Sequence, residues 1–263
     1  MKKQLKLFGF LLFFICSAQG QMKNASLLSS QSVSGNTFVG FDVLSNLYYL
    51  ENNVFLKRNK TQLWQYKNLS LGKITKIDLQ NPLKIVLFYE DFNSVILLDN
   101  QLNEIQKITF SNENSSIIAA AIGIASQNTL WVFDTLSQKL GLYNYSNGNF
   151  KSITTSLQVN FKYYESDFNT FQWIDDNLNW YSCDIYGKIS LLRKASDFDK
   201  IQILNSELIL FSKGEHLYFQ DFKLNTIEEI QNVDKSFEFF TFKDQILSIF
   251  TNRQIKNYKI IVP

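Results

Sequence analysis

The most restrictive feature of this sequence is a set of short segments in which every residue is apolar. Ile85-Val86-Leu87-Phe88-Tyr89, Leu130-Trp131-Val132-Phe133 and Leu208-Ile209-Leu210-Phe211 contain no polar position. Successive side chains of a strand point to opposite faces. A strand with one wet face alternates apolar and polar, so these strands must be buried on both faces. Parallel sheets between helices satisfy that demand, but no segment here shows sustained helical periodicity. The nearest, Ile117 to Ala125, is made of small and branched residues between turn formers, and reads as a buried strand. The blades of a β-propeller satisfy it differently, because each blade packs against a neighbour on both sides.

The apolar segments recur as pairs. Leu47-Tyr48-Tyr49-Leu50 precedes Val54-Phe55-Leu56, and Ile85 to Phe88 precedes Val95-Ile96-Leu97-Leu98. Leu130 to Asp134 precedes Leu140 to Tyr143, and Leu178 to Tyr181 precedes Ile189 to Leu192. Leu208 to Phe211 precedes His216 to Phe219, and Ile246 to Phe250 precedes Ile255 to Tyr258. The first positions, 47, 85, 130, 178, 208 and 246, are separated by 38, 45, 48, 30 and 38 residues. Their mean, about 40, is the length of a four-stranded blade. The short fourth interval points to a trimmed blade or a displaced starting point. Polar turns such as Asn52-Asn53 and Asn147-Gly148-Asn149 fall between the strands.

Asn128-Thr129-Leu130-Trp131-Val132-Phe133-Asp134, followed by Lys139-Leu140-Gly141-Leu142-Tyr143, resembles the repeat of NHL- and YWTD-type propellers. Blades of that kind carry an apolar strand ending in Asp, a turn, and a second strand. With Asn81-Pro82-Leu83-Lys84-Ile85-Val86-Leu87-Phe88-Tyr89, the chain also resembles exported propellers of Gram-negative bacteria that use type IX secretion. The resemblance implies a propeller fold and assigns no functional residue.

The N-terminus reads as an export signal. Lys2, Lys3 and Lys6 precede the apolar run Leu7 to Ile15, and Ala18-x-Gly20 supplies the small residues of a cleavage site before Gln21. The run is too short to span a bilayer comfortably, which takes roughly 20 residues. Ile15 is not the small residue that a lipoprotein signal places before its cysteine, so soluble export is expected over lipidation at Cys16. Removing residues 1–20 takes three lysines and no acid, and moves the formal charge from +2 to −1. A near-neutral chain has no electrostatic case for nucleic acid or an anionic membrane. Cys183 is then the one cysteine left, a buried small hydrophobe by expectation.

Catalytic patterns are scarce. His216 is the only histidine, and no Gly-x-Ser-x-Gly elbow accompanies it. One histidine and one mature cysteine do not build a zinc site. Glu90-Asp91, Asp175-Asp176 and Asp197-Phe198-Asp199 read as solvated turn carboxylates, without the further ligands of a calcium loop. No cofactor and no metal is expected. The aromatic-rich stretch with Phe161, Tyr163, Tyr164, Phe168, Phe171 and Trp173 is interleaved with Glu165, Asp167 and Asn169. It is the candidate protein-binding loop, because aromatics are enriched at interface hot spots.

The expected architecture is all-β: a β-propeller of about six blades, seven also being compatible. It comprises residues 36–263, after a signal peptide at 1–20 and a polar lead at 21–35. Ring closure is expected from a strand within Ser32 to Val43 beside the C-terminal strand. The expected function is that of a non-enzymatic scaffold or accessory subunit, in the periplasm or at the outer membrane. Its partner would be an envelope protein or outer-membrane complex, and the mature chain would have no transmembrane segment. The alternative is a carbohydrate-active hydrolase or lyase using carboxylates at the channel mouth, which clustered Asp, Glu and Tyr there would favour. A small-molecule sensor is a third reading, and needs a pocket with convergent polar groups.

Overall fold

The computed structural model describes residues 22–111 and 116–261. The expected signal sequence and its cleavage site lie outside the described residues. Strands β1 to β25, in chain order, form six sheets. Blade one is β3 (Thr37–Phe41), β4 (Leu47–Glu51), β5 (Val54–Arg58) and β6 (Leu63–Tyr66). The first strands of the next five blades are β7 (Lys76–Asp78), β11 (Ala119–Ile124), β15 (Phe161–Ser166), β19 (Lys200–Asn205) and β23 (Phe239–Lys243). Their second strands are β8 (Ile85–Tyr89), β12 (Thr129–Asp134), β16 (Thr170–Asp175), β20 (Leu208–Lys213) and β24 (Ile246–Thr251). Their third strands are β9 (Ser94–Leu98), β13 (Lys139–Asn144), β17 (Asn179–Asp184), β21 (His216–Asp221) and β25 (Gln254–Lys259). Blades two to five end with outer strands β10 (Glu104–Thr109), β14 (Asn149–Ser152), β18 (Ile189–Lys194) and β22 (Thr226–Gln231).

Blade six takes its outer strand from the other end of the chain. β2 (Ser26–Ser32) pairs antiparallel with β25, from Ser26 opposite Lys259 to Ser32 opposite Gln254. Before it, β1 (Met22–Asn24) lies parallel to β22 and adds a fifth strand to blade five. The stretch expected as a polar lead therefore carries two strands. The C-terminal strand does pair with N-terminal chain, but the partner is Ser26–Ser32, not a strand within Ser32 to Val43. β3 in that region is instead the inner strand of blade one.

Six apolar clusters fill the six blade interfaces. Alternation along a strand sends neighbours to opposite interfaces, as the pleat requires. Ile85 and Leu87 join Tyr48 and Phe55 of blade one, while Val86 and Phe88 join Leu130 and Val132 of blade three. Trp131 and Phe133 turn the other way, onto Phe171 and Trp173 of blade four. All five residues of β8 are buried for this reason, and outer strands such as β6 and β14 are not. Each buried Ile, Leu or Phe contributes roughly 1.5–3 kcal/mol.

The second strands begin at Leu47, Ile85, Thr129, Thr170, Leu208 and Ile246, with intervals of 38, 44, 41, 38 and 38 residues. The short interval in the sequence reading was a displaced starting point. Leu178 immediately precedes β17, the third strand of blade four, whose second strand is β16.

The turns explain the asparagines. Two-residue turns with both φ positive occur at Asn52–Asn53, Gln127–Asn128, Asp244–Gln245 and Asn252–Arg253, the conformation that a tight hairpin favours. Elsewhere a carboxylate caps the turn. Asp99 accepts backbone N–H bonds from Gln101 and Asn103, Asp175 from Asn179, and Asp184 from Tyr186 and Lys188.

Candidate functional site: the central channel

The six first strands face the ring axis and together line one cavity of about 590 Å³. Strands of different blades diverge here, so side chains rather than backbone ladders tie the wall together. Asp78 on β7 accepts N–H bonds from Ile124 of blade three (2.8 Å) and from Gln80 (2.8 Å). Gln202 on β19 donates to the Phe242 carbonyl (3.0 Å) and accepts from its N–H (2.6 Å), joining blades five and six. Lys76 donates to the Tyr164 carbonyl (3.2 Å), and its ammonium lies 4.6 Å from the Tyr164 ring centroid. That bond runs from blade two to blade four. It can do so because the intervening strand, β11, reads Ala-Ala-Ala-Ile-Gly-Ile. A Cβ on Gly123 would stand 1.8 Å from Ser166 Oγ, so blade four approaches only a glycine there.

Glu165 is held by two neighbours in the wall. Tyr163 donates its hydroxyl to Glu165 Oε2 at 2.6 Å, and Ile203 N–H of blade five also bonds the carboxylate. Burial nevertheless pushes Glu165 up to about 7, against those bonds and the nearby Lys76. Burial likewise lowers the Lys76 ammonium, against the pull of Glu165 and Asp78, and raises Asp78. Tyr163 and Tyr164 are both raised, chiefly by burial. Acid, base and tyrosine groups thus meet at the channel, although Lys76 and Asp78 lie 85 to 89 residues from Tyr163, Tyr164 and Glu165 in sequence. Tyr163, Tyr164 and Glu165 fall in the aromatic stretch singled out above, but no local pattern marks Lys76 and Asp78.

The expected aromatic loop is not a loop. Phe161, Tyr163 and Tyr164 lie on β15, and Phe171 and Trp173 on β16. Phe171 and Trp173 are buried, and Phe161 packs edge-on against Phe133 of blade three at 4.7 Å. Tyr163 and Tyr164 face the channel. Phe168, in the turn between the two strands, is the one of the six that is exposed. The aromatic pattern arose from packing between blades. The polar residues beside it face the channel or cap the turn; Asp167 accepts from Asn169 N–H and Thr170 N–H.

The other sequence candidates are dispersed. His216 sits on the third strand of blade five, its Nδ1 2.7 Å from Glu229 Oε1. Asp197 pairs with Lys162 (2.9 Å) and Lys213 (2.5 Å), and those hydrogen bonds hold its carboxyl down to about 2. Asp175 ends β16 and Asp176 opens the turn that follows it. Among the described residues no group of His, Cys, Asp and Glu is placed to hold a metal ion, and no helix is long and apolar enough to cross a membrane.

Solved structures share this fold. The virginiamycin B lyase of Staphylococcus aureus aligns over 84% of this chain and 79% of its own, at 12% identity and a TM-score of 0.53. The Cps50 (Swd1) propeller domain of Myceliophteria thermophila aligns over 90% of this chain and 100% of its own, at 8% identity and 0.57. A chain of a mitotic checkpoint complex aligns over 100% of both chains, at 10% identity and 0.55. At such identities the likeness concerns the fold. No family model matches the chain, and no curated protein matches its sequence.

Proposed function

We propose that the protein is a non-enzymatic propeller that docks onto an envelope protein or outer-membrane complex as an accessory subunit. The observation that carries this reading is the asymmetry of the two ends of the ring. With every blade antiparallel, first-to-second and third-to-fourth strand turns share one end. That end exposes Val43, Leu44, Leu83, Phe168, Tyr186 and Leu224. Val43 and Leu44, adjacent in one turn, are 68% and 73% exposed, and Tyr186 is 86% exposed. Among the described residues the turns of the opposite end expose four, Leu69, Phe92, Ile118 and Leu136.

Three things support the location and manner of action. The N-terminal residues have the pattern of an export signal. The texture of the chain resembles exported propellers of bacteria with type IX secretion. One similar solved propeller belongs to a protein complex. Another is a lyase, so the fold hosts chemistry as well. Asp78, Glu165, Asp167, Tyr163 and Tyr164 do cluster at the channel, as the hydrolase or lyase alternative requires, but two of the three carboxylates are engaged by the protein and Glu165 alone is placed for acid–base chemistry. Both oxygens of Asp78 accept backbone N–H bonds, and those of Asp167 are taken by Asn169 and Thr170. Such bonds hold a carboxylate in place as a structural group.

A photo-cross-linking residue at position 44, in living cells, should capture one envelope protein. The same residue at position 136, on the opposite end, should not. Equal yields from both positions, or none from 44, would remove the docking face.

A further inference from the structure

The wall of the channel cavity divides into two sets of polar groups. The charged set is occupied by the protein: Lys76, Asp78 and Glu165 each bond to another blade. The neutral set is not. Gln80 Oε1, Ser166 Oγ, Gln172 Nε2, Asn205 Nδ2, Ser206 Oγ and Thr241 Oγ1 make no hydrogen bond to the protein among the described residues, and all six residues line the cavity. They come from blades two, four, five and six, and so converge on one space from around the ring.

Two of these groups are held in place by the protein independently of any ligand. Asn205 Oδ1 caps its own turn through Glu207 N–H (2.8 Å), which leaves the amide nitrogen as the free end. Gln172 Oε1 accepts from Trp180 Nε1 (2.9 Å), which likewise leaves its amide nitrogen free. Between them lie apolar surfaces, Val39, Ile122 and Leu204. A site of convergent neutral donors and acceptors over apolar patches, within a cavity of about 300–1,000 Å³, suits a small organic ligand.

We propose that the central cavity binds a neutral polyhydroxylated molecule, of mono- or disaccharide size. Hydroxyl and amide groups both donate and accept, as the hydroxyls of such a ligand do. The C–H faces of a sugar ring match the apolar patches. An anion would meet the Asp78 and Glu165 carboxylates, and Lys76 is already covered by the Tyr164 ring and carbonyl. The cavity lies inside the ring but its mouth, at Gln80, Asn205 and Ser206, opens on the docking end, so the ligand is titrated against the protein alone, apart from any cross-linked partner. Binding to a partner and binding of a small ligand therefore stand or fall separately.

Calorimetric titration of the mature protein with D-glucose, cellobiose, chitobiose and myo-inositol, and separately with spermidine, tests this. The expected result is saturable one-to-one binding of at least one neutral probe, with Kd at or below about 1 mM. Asn205→Ala with Ser206→Ala should weaken it about tenfold, and Thr241→Trp, which fills the cavity, should abolish it with an unchanged circular dichroism spectrum. If Thr241→Trp fails to fold, the double alanine variant decides. No binding of any neutral probe at about 20 mM, undiminished binding in a folded blocked variant, or tighter binding of spermidine would overturn the proposal.

Discussion

Glu165 carries a titration whose sign is fixed by its surroundings. Burial raises its folded value from 4.5 to about 7. A group whose folded value is raised binds its proton more tightly folded than unfolded, so stability falls as pH climbs through that interval and levels off above it. The interval corresponds to about 3 kcal/mol. Glu165→Gln keeps an oxygen for the Tyr163 hydroxyl and the Ile203 N–H but removes the titration. The melting temperature of the parent should fall between pH 5 and pH 8 relative to that variant. Parallel profiles would mean that Glu165 is ionised throughout. Cys183 is simpler. It is fully buried, and burial pushes its thiol up to about 12. A thiol-specific reagent should therefore leave the native protein unmodified and label it only on unfolding; rapid native labelling would contradict the packing between blades three and four.

At the level of elements, the capped turn between β12 and β13 is the clearest case. Asp134 is 4% exposed and accepts from Ile118 N–H, Leu136 N–H and both the N–H and hydroxyl of Ser137. Burial raises its carboxyl, but these bonds outweigh it and leave the group below its ordinary value. Asp134→Ala removes them together and should cost about 2–4 kcal/mol, read as a lower urea midpoint. A loss within about 0.5 kcal/mol would show the turn to be held by its backbone alone. The sequence made β12 and β13 legible because all-apolar Leu130 to Phe133 ends in this Asp. It hid β16, because Gln172 interrupts Thr170-Phe171-Gln172-Trp173-Ile174-Asp175 and the neighbouring Trp180-Tyr181 looked stronger. β2 was hidden more fully. Ser-Leu-Leu-Ser-Ser-Gln-Ser is an outermost strand, exposed at nearly every position, and an outermost strand has no buried face to set an alternation. The channel set was illegible for a different reason. Lys76 and Tyr164 meet only because a whole alanine-rich blade strand lies between them, and such meetings leave no local pattern.

The whole molecule depends on one seam. Five blades close on themselves in sequence order, whereas blade six is completed by β2 from the opposite end of the chain. Unfolding that begins by peeling β2 from β25 would expose Ile255 and Tyr258, both buried, and release two blade interfaces at once. Ser29 and Asn257 are direct partners across the seam, and Asn257 Nδ2 donates to Ser29 Oγ at 3.0 Å. Their side chains therefore share one face at a separation that a disulfide can span. Ser29→Cys with Asn257→Cys closes a loop of 228 residues, for which chain entropy allows up to about 5 kcal/mol of stabilisation. The buried Cys183 should not compete. The oxidised variant should melt higher than its reduced form, and the parent should show no such difference. Equal melting of the two forms, with the disulfide confirmed by mass, would place the first opening event elsewhere in the ring. The interface between blades three and four would then be the next seam to bridge, since its buried Trp173 Nε1 lacks a hydrogen-bond partner among the described residues.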